Sequence, residues 1–248
     1  MENIDIILPN YNSHESLKKT LNSIFNQTFK KWKIIIIDDN SDLETKKILE
    51  TYKKFKKVKI FYLKKNKGAG YCRNFGIKKS KAKYIAFIDS DDTWEKSKLE
   101  KQLNFIKKKN INFSYTWYKS FKNKTNYNKK IKTPLKFNFD NFTKNTSIAT
   151  STIIIKRSLT RNIKFLNTRV CEDYFYKCQL LKKTKFAYCI PLFLTKYQIR
   201  KNSLQSNKLR NLFWVWKINQ KYNKFNFFRN ILSVFMISIN SLKKYGYK

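Results

Sequence analysis

The sequence predicts an α/β protein, a mostly parallel sheet flanked by helices with a helical extension at its C-terminal end. Three observations predict it. Short, almost unbroken apolar runs at residues 4–8, 33–37, 58–63 and 84–88 have the length and composition of strands buried on both faces. Helical patterns lie between them, making a β-α-β-α alternation. The second and fourth runs both stop in carboxylates, Asp38-Asp39 and Asp89-Ser90-Asp91-Asp92. Two acidic clusters therefore meet at the rim where open α/β sheets bind their ligands.

Taken in order, the first run is closed by Pro9, which cannot donate to a central ladder. Residues 10–14, Asn-Tyr-Asn-Ser-His, form a polar loop. Leu17, Leu21, Ile24 and Phe25 share one face of a helix over about residues 15–27. After the second strand, Asn40-Ser41-Asp42 caps a helix that starts near Leu43. Three of the four glycines, Gly68, Gly70 and Gly76, fall in the loop after the third strand. In so glycine-poor a chain that clustering implies a tight turn or a close approach. Arg73 beside it is a candidate partner for a diphosphate. The spacing is neither that of a dinucleotide-binding turn nor that of a P-loop.

The stretch at residues 83–94 organises the rest. Three carboxylates within four residues repel one another unless a cation or a set of donors holds them. Oxygen ligands of this kind suit Mg²⁺ or Mn²⁺, above all where phosphate completes the coordination. The competing reading is an acidic turn, with Asp92 or Thr93 capping a helix over residues 95–109. Beyond it the pattern predicts a strand at 113–118, a basic loop at 119–132 and a strand at 146–156. Cys171-Glu172-Asp173 opens a helix to about residue 181, where acids also suit the helix dipole. Residues 186–189 and 192–198 read as two short strands broken by Pro191, and residues 200–203 as a basic loop able to fold over an anion. Residues 207–243 read as helical and mix aromatic with basic side chains, a pattern suited to an anionic membrane interface or to packing on protein.

Composition narrows the function. The chain of 248 residues carries 55 Lys+Arg against 16 Asp+Glu, a formal charge of +39. That balance favours polyanionic partners, although codons rich in A and T also supply Lys, Asn, Ile, Phe and Tyr. Four cysteines without a C-x-x-C pair, and a single histidine, argue against a zinc site or a disulfide framework. A Ser-His-Asp triad would have to use that one histidine, His14. Free thiols, an N-terminus that leads straight into a strand, and the lack of a long apolar run predict a cytoplasmic protein. The tail would place it peripherally on the inner face of the cell membrane.

Four motifs occur in order: ILPNYN at residues 7–12, IIDDNSD at 36–42, KGAGYCRNFGI at 67–77 and FIDSDD at 87–92. Together they resemble those of the family 2 glycosyltransferases, inverting enzymes with the Rossmann-like GT-A fold. The resemblance is strong to about Asp92 and weaker to about Ser203, with Glu172-Asp173 similar to the family's later acidic motif. It implies a transferase domain at residues 1–205; the composition sets off a basic aromatic helical tail at 206–248, which the resemblance does not cover. The resemblance further implies that Pro9 and Tyr11 shape the nucleotide pocket, that Asp39 bonds the base, usually uracil, and that Arg73 lies near the diphosphate. Asp89 would serve the ribose and the metal, Asp91 the Mg²⁺ or Mn²⁺ itself, and Asp173 would be the general base. Arg200 and Ser203 would belong to a late closing loop. The implied partners are a nucleotide-sugar donor and a hydroxyl of a growing glycan or lipid-linked acceptor. Trp94 is open to two readings, a platform for a sugar face or a core residue.

Two other functions fit less well. A sugar-phosphate nucleotidyltransferase would carry a glycine-rich basic loop after its first strand, where this chain has ILPNYNSHES. A nucleic-acid-binding protein would explain the charge, but the acidic clusters lie where phosphates would have to sit.

Overall fold

Isoleucine-rich runs are stable only where both faces of the sheet are covered, and the chain alternates strand with helix to achieve that. The structure, a computed structural model, describes residues 3–122, 128–168, 170–199 and 207–245. Arg200 and Ser203 lie outside the described residues. Strands β1 (Ile4–Asn10), β2 (Trp32–Asp38), β3 (Val58–Tyr62) and β4 (Tyr84–Phe87) pair in the order β3-β2-β1-β4, all parallel. The crossovers are α1 (His14–Phe25), α2 (Leu43–Tyr52) and α3 (Ala69–Lys79). Leu17, Leu21 and Ile24 of α1 and Leu49 of α2 close over Ile4, Ile6 and Leu8 on one face of the sheet. Cys72 of α3 joins Ile7, Ile35 and Ile37 on the other.

Pro9 does not end β1 as the sequence predicts; the strand runs on to Asn10 in register with Asp38. The Ile4 N–H and the Asn10 carbonyl both bond toward the β2 side, so alternation turns Pro9 toward β4. The β1–β4 register stops at Ile7 opposite Phe87. The last bond of that ladder is from the Ile88 N–H to the Ile7 carbonyl at 3.1 Å, and the missing Pro9 donor ends the pairing there.

The second half contributes β5 (Thr93–Trp94), α4 (Lys98–Lys108), β6 (Phe113–Phe121), β7 (Asn128–Ile131), β8 (Lys136–Phe137), α5 (Phe139–Lys144), β9 (Ile154–Lys156), α6 (Glu172–Thr184), β10 (Ala187–Gln198), α7 (Lys208–Ile218) and α8 (Phe227–Tyr245). The sheet continues β4-β9-β6-β10-β5, with β7 on β6 and β8 on β10. β9 is antiparallel to both its neighbours, so the parallel half ends at β4.

Several local expectations change. The basic stretch after residue 118 is partly sheet, because β6 continues to Phe121 and β7 folds back on it. The strand expected over 146–156 pairs only from Ile154, after a 3₁₀ turn at Thr150–Thr152. Residues 187–198 form one strand through Pro191, whose lost donor is absorbed by register shifts between Ile190 and Thr195. Helix α4 begins at Lys98 rather than near Glu95. Asp92 accepts the Gln198 N–H at 2.9 Å instead of capping that helix.

The tail folds back on the rest of the chain. Val215 and Ile218 of α7 and Ile237 of α8 share a core with α3 and α6. The Tyr174 hydroxyl of α6 donates to Asn219 Oδ1 at 2.7 Å, between the two tail helices. Among the described residues, no helix is long and apolar enough to cross a membrane.

Candidate active site

The rim at the carboxyl ends of β1, β2 and β4 is assembled by hydrogen bonds between polar groups of neighbouring loops. Asp38 is fully buried; it accepts from Asn10 Nδ2 at 2.8 Å and from the Ser41 N–H at 3.1 Å, tying the β1 loop to the β2 loop. Asp39, next to it, accepts the N–H groups of Lys67 and Gly68, each at 2.7 Å. Gly68 has φ +87, a left-handed backbone that glycine adopts without penalty, and there the chain turns into α3. Two adjacent aspartates thus do different work: one locks two loops, the other holds the entry to α3. Tyr11 stands half exposed at the mouth, above the buried Pro9.

The loop after β4 is held by its backbone. The Ser90 carbonyl accepts from Ser16 Oγ at 2.9 Å and from Thr20 Oγ1 at 3.0 Å, both on α1. The Asp89 N–H donates to Ser151 Oγ at 3.0 Å. Asp89 and Asp91 remain partly accessible while Asp92 is buried beneath them. Burial, with the charges of Asp91 and Asp89, pushes the Asp92 carboxyl well above the usual carboxylate range. Trp94 is core: it is buried, and its Nε1 donates to the Ser151 carbonyl at 2.8 Å.

Arg73 joins the distant acidic motifs. Its side chain is 5% exposed; Nη2 lies 2.6 Å from Asp89 Oδ1 and Nη1 lies 2.8 Å from Glu172 Oε1. Burial opposes the charge, but Asp89, Glu172 and Asp173 together hold the guanidinium charged and raise its pKa. The close approach depends on Gly70, where an added Cβ would collide with the Leu166 carbonyl oxygen and come within 3.1 Å of Glu172 Cγ. Burial pushes Glu172 up, against the pull of Arg73.

Asp173 sits in the first turn of α6, 21% exposed. Its Oδ2 accepts from Lys177 Nζ at 2.6 Å and from Thr150 Oγ1 at 2.9 Å. Burial alone would raise its pKa; the Lys177 ammonium, aided by Arg73 and Thr150, instead holds it down at about 2. The carboxylate is therefore ionised throughout the neutral range. Lys177 also donates to the Ile148 carbonyl at 2.7 Å, which fixes its position.

Sequence reasoning singled out Arg73, Asp89 and Asp173 separately; the structure brings them to one rim. It missed Lys177, although that residue lies one helical turn from Asp173, a spacing that pairs side chains. It also missed Thr150, Ser151 and the Arg73–Glu172 pair, which are remote in sequence. The donor set suits a hard divalent cation: Asp89 and Asp91 supply carboxylate oxygen and no thiolate or imidazole. Among the described residues no group of three or more His, Cys, Asp or Glu could hold a metal unaided. Mg²⁺ is ordinarily held by one or two carboxylates together with substrate phosphates, which fits a pair completed by a diphosphate.

Comparison with known proteins identifies the family and the fold. The model of the family described as "Glycosyl transferase family 2" matches residues 5–175. The chain is 33% identical over 97% of its length to the putative teichuronic acid biosynthesis glycosyltransferase TuaG of Bacillus subtilis, 96% of which is covered. It is 30% identical over 87% of its length to a UDP-Glc:alpha-D-GlcNAc-diphosphoundecaprenol beta-1,3-glucosyltransferase, WfgD, of Escherichia coli, covering 84% of that protein. In fold it is similar to S. aureus TarS 1-349, solved in complex with UDP-GlcNAc, with a TM-score of 0.76 and 18% identity over 97% of this chain and 73% of that one. With its order of strands, its acidic rim and a family match across well over half its residues, this chain belongs to glycosyl transferase family 2 and is a glycosyltransferase of GT-A fold.

Proposed function

We propose that the chain transfers a sugar from a UDP-sugar to a hydroxyl of a lipid-linked or growing cell-surface glycan, by a single inverting displacement at the cytoplasmic face of the membrane. The observation that carries this reading is the Arg73 bridge, which sets the carboxylates after β4 and those opening α6 on one rim. Relatives named for teichuronic acid and for a diphosphoundecaprenol acceptor support the choice of acceptor.

In this reading Asp39, Pro9 and Tyr11 receive the nucleoside, and Asp89 and Asp91 hold a divalent cation together with the donor's diphosphate. Such a cation would neutralise the charge that develops on the departing diphosphate. Arg73 is itself committed to Asp89 and Glu172, so its contribution is to keep Asp89 in place and balance the rim's charge. Asp173 takes the proton of the acceptor hydroxyl as that oxygen attacks the anomeric carbon from the face opposite the leaving group. Lys177 and Thr150 bond its Oδ2, and the proton goes to Oδ1. The donor loses UDP, the acceptor oxygen gains the glycosyl group, and no enzyme-bound sugar forms.

Calorimetry with UDP tests the nucleotide and metal parts together. Affinity should fall at least tenfold when EDTA replaces Mn²⁺, and Asp91→Ala should lose the Mn²⁺ dependence. Equal affinity in EDTA and in Mn²⁺ would remove the metal from the account.

A further inference from the structure

Helix α8 is built inside out. Its inner face is polar in its first half, where Asn230 and Ser233 are each 1% exposed, while Val234 and Ile237 add apolar packing. Asn230 Nδ2 donates to the Trp216 carbonyl at 3.0 Å, and Ser233 Oγ donates to the Thr143 carbonyl at 2.6 Å. The outer face is apolar, with Phe227, Phe228, Ile231, Leu232 and Phe235 exposed by 63%, 80%, 44%, 46% and 60%. Their spacing makes one continuous stripe on a helix of 3.6 residues per turn. Scattered apolar residues on a surface are ordinary, whereas a contiguous patch of this kind marks a contact surface.

Charge decides what that surface meets. From Asn207 to Lys248 the chain has nine Lys or Arg residues and no Asp or Glu. Arg229, in the first turn of α8, is paired with Asp140, and Lys243 and Lys244 lie in the last turn. The last turn also borders a cleft of about 240 Å³ lined by Lys129, Lys130, Lys132, Lys243 and Lys244. A second copy of the chain would set these cations against themselves. A negatively charged surface with an apolar interior complements both properties.

We propose that α8 is a membrane-docking helix. It lies in the plane of an anionic bilayer, Phe227, Phe228, Ile231, Leu232 and Phe235 sink into the boundary between headgroups and acyl chains, and the flanking lysines meet lipid phosphates. Hydrogen bonds of Asn230 and Ser233, together with the packing of Val234 and Ile237 on the core, hold its inner face, and the apolar stripe lies on the opposite side, available to lipid. The docking does not depend on the acceptor assigned above; it rests on the surface of α8 alone.

The test is co-sedimentation of the full chain with phosphatidylcholine vesicles, with and without phosphatidylglycerol, at low salt. The chain should bind the anionic vesicles at least tenfold more tightly than the neutral ones and lose that advantage as salt is added. Phe228→Ser combined with Phe235→Ser should weaken binding at least tenfold, with melting temperature and UDP affinity unchanged because both side chains are already exposed. Three results would overturn the proposal. They are no binding to anionic vesicles, equal binding by the doubly substituted chain, or a dimer in vesicle-free ultracentrifugation that the double substitution dissolves. The last would make a second copy the occupant.

Discussion

At Asp173 a buried carboxylate has to stay ionised, and one lysine decides that it does. Burial favours the protonated acid; the Lys177 ammonium at 2.6 Å reverses the preference and sets the pKa at about 2. The sign follows: an acid whose pKa falls on folding contributes stability above its unfolded value of about 3.9, and loses it as pH drops through about 2. Lys177→Met removes the largest influence opposing burial and leaves only Arg73 and Thr150 against it, so the acid limb of the kcat–pH profile should move upward by at least about one unit. An unmoved limb in K177M would remove Lys177 from the control of the base. Asp173→Asn keeps the size of the side chain and removes its basicity. Turnover should fall by about 10² or more, with UDP affinity nearly unchanged; near-normal turnover would assign the base elsewhere. Arg73 is the other sensitive residue. Arg73→Gln leaves two carboxylates facing each other without their cation, and denaturation should show a loss of about 3–5 kcal/mol. A loss below about 1 kcal/mol would mean that the bridge is not a fixed part of the rim.

At the scale of elements, α3 does the positioning. Its N-terminus hangs from Asp39 through Lys67 and Gly68, and its first turn passes so near Leu166 and Glu172 that only glycine fits at position 70. Gly70→Ala sets two effects against each other. Alanine favours a helix over glycine by about 0.8–1.0 kcal/mol, whereas a methyl forced into a filled space costs about 1–3 kcal/mol. The Leu166 carbonyl is backbone and cannot swing aside, so the overlap should win. Thermal melts should show G70A less stable than the parent; a higher melting temperature would contradict the packing. The glycine cluster made this close approach legible in the sequence, as did the long apolar strands and the two acidic strand ends. The far half of the sheet was not legible. Strands of two or three residues such as β5, β8 and β9 carry no period, and Pro191 looks like a break until β6 supplies a partner with a shifted register. The pairing of Arg73 with Glu172 joins residues far apart in the chain, and no local pattern records it.

Over the whole molecule, the excess of positive charge surrounds a rim of carboxylates. In the proposed reading the donor's phosphates meet these aspartates, and that arrangement requires a divalent cation or buried bases to compensate them. The tail misleads a reading by hydrophobicity because Asn230, Ser233 and Asn219 face inward while Phe227, Phe228 and Phe235 face out. The central claim is that one displacement, with Asp173 as base, moves the sugar to the acceptor. The anomeric configuration of the product tests it most directly. Given UDP-glucose or UDP-N-acetylglucosamine, whose sugars are α-linked, with Mn²⁺ and a hydroxyl acceptor, NMR of the new linkage should show the large H1–H2 coupling of a β-glycoside. The small coupling of an α-glycoside would contradict the account, because retention cannot come from a single displacement.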